Sequence, residues 1–157
     1  LIEEKKKEII KGIYEKAKKN KCEILIPEDC VVGTNFNGSG DNKDLNTILD
    51  NEIILDIGPK TNENIKKIID QSKIVLWNGP AGYFENENFM NGTMFIANVI
   101  SKNTADKSLI SVLGGGDTLA AINKSKNKLS FTHLSTAGGA FLEYLEGKDL
   151  PGLSVLK

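Results

Sequence analysis

Short apolar runs alternate with segments of helical periodicity along most of the chain. Helical segments repeat apolar positions every three or four residues, whereas a buried strand is a short apolar run bounded by turn residues. The predicted strands are 22–26, 30–33, 53–57, 73–77, 108–113 and the short segment 133–135. The predicted helices are 3–19, 61–71 with Thr61 as its cap, 88–101, 117–123 and a last one that follows 138–139 and ends at 146. Residues 34–51, rich in Asn, Gly and Asp, are predicted to form a surface loop with little structure of its own.

This alternation, together with the continuously apolar character of several strands, predicts the fold class. Strands buried on both faces are typical of a parallel sheet that is covered by helices on each side. We therefore expect an α/β fold, a three-layer α/β/α arrangement of the Rossmann-like kind. Ligands of such folds bind beyond the carboxyl ends of the strands, and three glycine-rich segments of this chain follow predicted strands.

Composition and charge narrow the class of protein. The chain has 157 residues and carries 20 Lys and Arg against 21 Asp and Glu, so its net charge of -1 gives no reason to expect a nucleic-acid partner. Lysines at 5–7 and 16–21 alternate with apolar residues at helical spacing, which predicts a solvated helix face. Since no apolar run reaches membrane-spanning length and no signal peptide is visible, we expect a cytoplasmic protein without a membrane partner.

Two cysteines, Cys22 and Cys30, lie among apolar residues without a histidine partner or CxxC spacing. We expect both to be buried, reduced thiols rather than disulfide or zinc ligands. The chain begins with Leu1 instead of Met, which suggests that an upstream segment has been lost or cut away.

The most distinctive segment is Ser111–Thr118, SVLGGGDT, at a predicted strand-to-helix junction. Glycines allow the backbone to approach an anion closely, and the first amides of a helix are unpaired donors. Asp117 is a candidate Mg²⁺ ligand, and the hydroxyl of Thr118 is a candidate donor to a phosphate oxygen. A tight turn in which Asp117 only caps the helix explains the local pattern equally well.

Two further junctions repeat this design. The segment 135–140, STAGGA, also leads into a helix, and a second cluster of helix N-terminal amides at the same sheet edge favours a phosphate ligand. The segment 77–85, WNGPAGYFE, offers Asn78 as a donor to phosphate and Glu85 as an acceptor for ribose hydroxyls. Taken alone, this third segment is better explained as a turn with a solvent-facing Glu.

The remaining candidates favour structural roles. The aromatic side chains Trp77, Tyr83 and Phe84 are expected in the core rather than stacked on a base. His133 is the only histidine, and without a paired carboxylate or nucleophile it is expected to be structural.

Four motifs, taken together, resemble the C-terminal lobe of the phosphoglycerate kinase family. They are DIGPKT at 56–61, WNGPAGYFE at 77–85, GGGDTLAA at 114–121 and HLSTAGGAFLEYLEGKDLPGL at 133–153. Their order and spacing match, and the resemblance covers nearly the whole chain. It implies that residues 1–157 are part of a C-terminal nucleotide-binding domain, incomplete relative to a full two-lobe kinase.

The resemblance also implies an activity. The family is a glycolytic, cytoplasmic transferase that moves a phosphoryl group between 1,3-bisphosphoglycerate and ADP, giving 3-phosphoglycerate and ATP, with Mg²⁺. The nucleotide lobe binds ADP or ATP, and an N-terminal lobe with a basic patch, absent from this chain, binds the phosphoglycerate. The full-length enzyme is expected to be a monomer.

Functional positions can be carried over one by one. The resemblance implies nucleotide binding by Asn78, Glu85, Gly115, Gly116, Asp117 and Thr118, with Asp117 on the metal. It implies that Gly116, Gly138 and Gly139 lie at the transferring phosphoryl group, as catalytic backbone positions.

Several departures from the family pattern accompany this resemblance. The N-terminal lobe with its catalytic arginine and a lysine-bearing, glycine-rich segment of the nucleotide lobe have no counterpart in this chain. Ile54 stands where the family usually has Gly near the adenine and ribose, and its bulk is expected to narrow the nucleoside pocket. Ala137 replaces the first of three usual glycines, a mild change unless that position needs a positive φ.

Three hypotheses follow. The leading one is a portion of an active phosphoglycerate kinase, inactive by itself. The second is a catalytically inactive nucleotide-binding or interaction module from a truncated gene. The third, an unrelated α/β protein with glycine-rich turns, is disfavoured by the series of motifs.

Overall fold

The computed structural model describes residues 6–156 of the chain. Its helices are α1 (Lys7–Lys19), α2 (Pro59–Gln71), α3 (Asn91–Ala105), α4 (Gly116–Ile122), α5 (Gly138–Leu145) and α6 (Pro151–Ser154). Its strands are β1 (Asp29–Gly33), β2 (Asp41–Asp44), β3 (Ile53–Ile57), β4 (Ile74–Asn78), β5 (Ile110–Gly114) and β6 (His133–Ser135). Single 3₁₀ turns lie at Leu45–Thr47 and Glu87–Phe89.

Within the described residues, six strands form two separate three-stranded sheets. The second half of the chain forms a parallel sheet in the order β4-β5-β6, flanked by helices, which confirms the predicted α/β class. The first half forms an antiparallel sheet in the order β2-β1-β3. The strand predicted at 53–57 therefore exists, but its assignment to the parallel sheet was wrong. It runs antiparallel to β1, with a register shift between Val31 and Val32.

Two other predictions for the first half were wrong. Residues 22–26 form no strand, because this apolar run pairs with no strand in the described range 6–156. The Cys22 N–H donates instead to the Ala17 carbonyl oxygen at the end of α1. The segment 34–51 is not featureless, since it contains β2, whose four residues, Asp-Asn-Lys-Asp, carry no hydrophobic pattern. An ion pair between Lys43 and Glu52, at 2.6 Å, holds this segment, and Glu52 also accepts a hydrogen bond from the Leu49 N–H.

The main core lies between the parallel sheet and the helices α2 and α3. Its fully buried members include Ile100 and Leu113, and Trp77 packs against them partly exposed. Phe84 is also buried, as predicted, whereas Tyr83 lies half-exposed against the ring of Phe36, with the centroids 5.0 Å apart. Burial of these apolar side chains is the main stabilising contribution to this half of the molecule.

Helix α2 begins two residues earlier than predicted, and its N-terminus is bound by a residue from another element. The carboxylate of Asp29 accepts hydrogen bonds from the Lys60 N–H, at 2.9 Å, and from the Thr61 N–H, at 2.8 Å. Thr61 is not the cap, because Gly58 precedes the helix and the Thr61 hydroxyl donates to Asp29 from inside the first turn. The buried Asp29 thus satisfies amides that a helix start leaves unpaired.

Helix α3 is held in the same way by Asp56. The carboxylate of Asp56, which is 1% exposed, accepts a hydrogen bond from the Gly92 N–H at 2.8 Å and one from the Ile57 N–H at 2.9 Å. The antiparallel sheet thereby fixes the start of a helix that packs on the parallel sheet. Two buried aspartates, one from β1 and one from β3, connect the two halves of the fold.

The N-terminal segment of the described chain is exposed. Helix α1 carries its lysines on a solvated surface as predicted, although residues 3–5 of the predicted helix lie outside the described residues. Cys30 is buried as predicted, whereas Cys22 is exposed, in the segment that follows α1. No helix within residues 6–156 has the length and hydropathy required to cross a membrane.

Candidate functional site

The three glycine-rich segments all follow strands of the parallel sheet. Asn78 at the end of β4 lies opposite Gly114 at the end of β5, and Gly114 lies opposite Ser135 at the end of β6. Because carboxyl ends of parallel strands lie at the same edge of the sheet, the structure brings the three segments together.

Asn78 and two glycines are packed against one another at this edge. A Cβ on Gly115 would overlap the side-chain oxygen Oδ1 of Asn78, and Gly115 has a φ of 95°, a conformation that L-residues with side chains rarely adopt. A Cβ on Gly138 would lie 2.6 Å from the Cα of Gly115 and 3.4 Å from Asn78 Oδ1. Glycine is therefore required at both positions for the backbones of two strand-to-helix turns to approach each other.

Asp117 lies in the first turn of α4, beside this cluster. Its side chain is exposed, as is Gly116, and its carboxylate forms no hydrogen bond or ion pair with another residue of the described chain. The alternative in which Asp117 only caps its helix is not supported, because no side chain caps α4. A free carboxylate beside unpaired backbone amides can face a metal ion and an anion at the same time.

Thr118 has a different position from the one that a phosphate donor needs. Its side chain is fully buried, and its hydroxyl accepts a hydrogen bond from the Gly79 N–H at 2.7 Å. In this structure Thr118 therefore holds the turn that follows Asn78. Sequence reasoning did not find this contact, because it joins two segments that are distant along the chain.

Glu85 lies at the other end of the same loop and is exposed. It lines a cavity of about 600 Å³ that is also lined by Asn91, Asn98, Lys124 and Lys126. Lys124 donates from Nζ to the backbone oxygen of Phe84 at 2.8 Å and to that of Glu85 at 3.4 Å. The Glu85 carboxylate is thus available to a ligand, while its backbone is held by Lys124, two residues past the end of α4.

The third junction starts helix α5. Gly138 and Gly139 are the first two residues of this helix, and Ala137 precedes it with a φ of -86°. The sequence analysis expects the change from Gly to Ala to be mild unless this position needs a positive φ. Since the φ is negative, the alanine causes no backbone strain here. His133 is exposed at the start of β6, away from this end of the strand.

An apolar cavity of about 540 Å³ lies beside the loop that follows β4. Ile54, which is 56% exposed, lines it together with Leu55, Phe36, Tyr83 and Pro80. Sequence reasoning identified Ile54 but missed Phe36, since a single phenylalanine in an Asn- and Gly-rich segment gives no periodic signal. The cavity offers an apolar surface beside the loop that begins after Asn78.

Metal binding by the protein alone is not indicated in the described part of the chain. No group of three or more His, Cys, Asp or Glu side chains there is arranged to hold a metal ion. Mg²⁺ does not need such a group of side chains, because it is commonly bound through one or two carboxylates together with substrate phosphates and water. The single exposed carboxylate of Asp117 fits that mode of binding.

Comparison with protein families gives one match, to the model described as phosphoglycerate kinase, over residues 1–148. A phosphoglycerate kinase from Wolbachia pipientis of Culex pipiens is 47% identical over 148 residues, which are 93% of this chain and 37% of the relative. A phosphoglycerate kinase from a Chelativorans species is 40% identical over 159 residues, covering 100% of this chain and 40% of the relative.

Solved structures agree with these matches. A phosphoglycerate kinase from Coxiella burnetii superposes with a TM-score of 0.87 at 36% identity, over 98% of this chain and 39% of that one. The enzyme of that name from Pyrococcus horikoshii superposes with a TM-score of 0.77 at 34% identity, over 97% of this chain and 38% of that one. The chain thus spans about two fifths of the length of the relatives that it matches.

Proposed function

Because this chain belongs to the phosphoglycerate kinase family, we propose that it is the part of such a kinase that binds Mg-ADP or Mg-ATP. The observation that carries the proposal is the convergence of Asn78, Gly115 and Gly138 at the edge of the parallel sheet, beside the exposed carboxylate of Asp117. In this proposal the chain is part of the C-terminal nucleotide-binding domain of a cytoplasmic glycolytic enzyme.

The phosphate end of the nucleotide is proposed to bind at this cluster. Gly115 and Gly116 offer backbone amides at the start of α4, and the side-chain amide of Asn78 is a further donor. Asp117 would hold Mg²⁺, which when bound neutralises part of the charge on the phosphates. Thr118 contributes by holding the turn at Gly79, since its hydroxyl already accepts a hydrogen bond there.

The nucleoside end is proposed to bind along the loop after β4. Glu85 supplies an exposed carboxylate for the ribose hydroxyls, and the apolar cavity lined by Ile54 and Tyr83 supplies a surface for the base. Ile54 lines this cavity, and its side chain is expected to leave less room for a base than the Gly of the family pattern. We therefore expect nucleoside affinity to rise when Ile54 is replaced by Gly.

The reaction proposed for the intact enzyme is phosphoryl transfer between 1,3-bisphosphoglycerate and ADP. Gly138 and Gly139 would direct the N-terminal amides of α5 at the transferring phosphoryl group, and Gly116 would add an amide of α4. Backbone donors that are already in place can stabilise the charge of the transition state without rearrangement. The phosphoglycerate would be held by residues that the relatives have outside the matched two fifths, and this chain alone is expected to be inactive.

The test of nucleotide binding is a calorimetric titration of the intact gene product with ADP, with and without Mg²⁺. We expect saturable binding that is stronger with Mg²⁺, and we expect Asn78→Ala to weaken it. Asn20→Ala is the matched control, because Asn20 is an exposed asparagine whose amide donates to the Lys16 backbone oxygen at the end of α1. Equal affinities for the Asn78→Ala and Asn20→Ala variants, or no binding by a folded wild-type protein, would overturn the proposal.

A further inference from the structure

Helix α4 contacts the loop that follows β4 at three successive points. Thr118, Ala121 and Lys124 are three residues apart, so they lie along one side of the helix and the turn that ends it. Thr118 accepts the hydrogen bond from the Gly79 N–H, Ala121 packs in a buried cluster with Phe84, and Lys124 lies beyond the last turn.

Lys124 makes the contact nearest to Glu85. Its ammonium donates to the backbone oxygens of Phe84 and Glu85, and it lies 5.3 Å from the centroid of the Phe84 ring. A hydrogen bond from a charged donor to a carbonyl oxygen is stronger than one from a neutral donor, and the face of an aromatic ring attracts the ammonium further. On the far side of Glu85, the side-chain amide of Asn86 donates to the backbone oxygens of Phe36 and Gly38.

The same helix begins at the residues proposed to bind phosphate. Asp117 lies in its first turn, and Lys124 is two residues past its end. A single short rigid element therefore connects the start of the phosphate site to the backbone that carries Glu85. We propose that Lys124 is a positioning residue, which sets the carboxylate of Glu85 at a fixed distance from Asp117 and so determines recognition of the ribose hydroxyls.

This inference rests on the proposed function, since it assumes that Glu85 contacts the ribose. It predicts that removing the ammonium affects discrimination between ADP and 2′,3′-dideoxy-ADP, which lacks both ribose hydroxyls. Lys124 lies past the C-terminal end of α4, whereas the proposed phosphate site lies at the N-terminal end. Removing the ammonium should therefore leave the binding of Mg-pyrophosphate unaffected. If Lys124 had a purely structural role, its substitution would weaken the binding of ADP, dideoxy-ADP and pyrophosphate together.

The experiment measures dissociation constants of the intact gene product for ADP, dideoxy-ADP and pyrophosphate, each with Mg²⁺. We expect Lys124→Met to reduce the preference for ADP over dideoxy-ADP by roughly 3- to 10-fold, the range that corresponds to the net contribution of one ordinary hydrogen bond. Lys124→Arg should retain the preference, since it keeps a cationic donor. Lys128→Met, which removes a neighbouring exposed lysine, is the matched control and should behave as wild type.

Glu85→Gln separates the inference from the function on which it rests. We expect this variant to lose the preference for ADP, and the double variant with Lys124→Met to lose no more than Glu85→Gln alone, because the two residues act through one contact. If Glu85→Gln kept the wild-type preference for ADP over dideoxy-ADP, the proposed contact of Glu85 with the ribose hydroxyls would itself be contradicted. Loss of the preference in Glu85→Gln but not in Lys124→Met would leave the ribose assignment intact and overturn the role of Lys124.

Discussion

Among the described residues, three aspartates lie at helix N-termini, and they differ in what surrounds them. Asp29 and Asp56 are 0% and 1% exposed, and each accepts hydrogen bonds from the first amides of a helix that belongs to another part of the fold. Asp117 lies on its own helix, is exposed, and has no partner for its carboxylate among the described residues. The same side chain next to the same kind of helix terminus thus occurs in two opposite environments.

The difference separates structural carboxylates from those that can bind ligands. A buried carboxylate whose lone pairs are used by backbone amides is part of the fold, because removing it leaves those amides unsatisfied. A carboxylate that faces solvent beside a glycine-rich turn contributes little to the fold but can coordinate a cation. Position at a helix N-terminus therefore does not by itself indicate function, and the partners of the carboxylate decide it.

The largest expected effect comes from Asp29→Ala. Two donors, the N–H groups of Lys60 and Thr61, would lose their buried acceptor, and the Thr61 hydroxyl would keep only the Asp29 backbone oxygen as a partner. We expect a loss of about 3–5 kcal/mol in the free energy of unfolding, measured by urea titration.

Asp44→Ala is the control for Asp29→Ala, because both aspartates interact with Lys60. The Asp44 carboxylate pairs with the Lys60 ammonium at 2.6 Å on the surface, with both side chains more than half exposed. Exposed ion pairs of this kind contribute little, so the urea midpoint should be unchanged. Equal midpoints for the Asp29→Ala and Asp44→Ala variants would contradict the structural assignment of Asp29.

A second, smaller effect is expected at the ligand-facing edge. Gly115→Ala places a Cβ against Asn78 and forces a side chain into a positive φ, at a cost of roughly 1–2 kcal/mol. We expect a lower urea midpoint together with about tenfold weaker Mg-ADP binding, since the turn must shift.

Gly116→Ala is the neighbouring control for stability, because open space surrounds the position of its Cβ. Its urea midpoint should equal that of the wild-type protein. If the Gly115→Ala and Gly116→Ala variants were equally stable, the close packing of Asn78 against Gly115 would be wrong.

The third prediction concerns pH and separates the two buried aspartates from each other. Burial raises the pKa of Asp29, but the hydrogen bonds from Lys60 and Thr61 outweigh it, so the pKa lies below the ordinary value of 3.8. Its contribution to stability is present above pH 3.8 and is lost as the pH falls through the folded-state pKa. Burial raises the pKa of Asp56 above 3.8 despite its own hydrogen bonds, so its contribution is present below pH 3.8 and declines as the pH rises through the folded-state pKa.

The measurement is the urea midpoint from about pH 3 to pH 7 for the wild-type, Asp29→Asn and Asp56→Asn proteins. We expect Asp29→Asn to remove part of the acid-side loss of stability. Asp56→Asn should instead flatten the decline with rising pH. The same change of slope in both variants would contradict the assigned pKa directions.

The two halves of the fold also differ in how far the sequence predicts them. Strands β4 and β5 are apolar runs next to strongly periodic helices, and local pattern was sufficient to identify them. Strand β2 has the sequence Asp-Asn-Lys-Asp and exists because β1 offers it a backbone partner, which no local pattern reveals. The run at 22–26 shows the reverse case, since its apolar composition predicts a strand but no strand in the described range pairs with it.

The candidate site divides in the same way. The convergence of Asn78, Gly115 and Gly138 could be predicted, because the ends of parallel strands meet at one edge. The contacts of Thr118 with Gly79 and of Lys124 with Glu85 could not, since each joins residues about forty positions apart. Such contacts depend on how helices pack against distant loops, and the sequence pattern carries little information about that packing.

The most direct test of the contrast between structural and ligand-facing aspartates is urea unfolding of Asp117→Asn with and without Mg-ADP. A ligand that binds only the folded state raises its stability, by about 2.7 kcal/mol at a concentration one hundred times the dissociation constant. We predict that Asp117→Asn unfolds at the wild-type midpoint without ligand and loses most of the stabilisation by Mg-ADP. A lowered midpoint without ligand, or wild-type stabilisation with it, would contradict the assignment of Asp117 to the metal and the nucleotide.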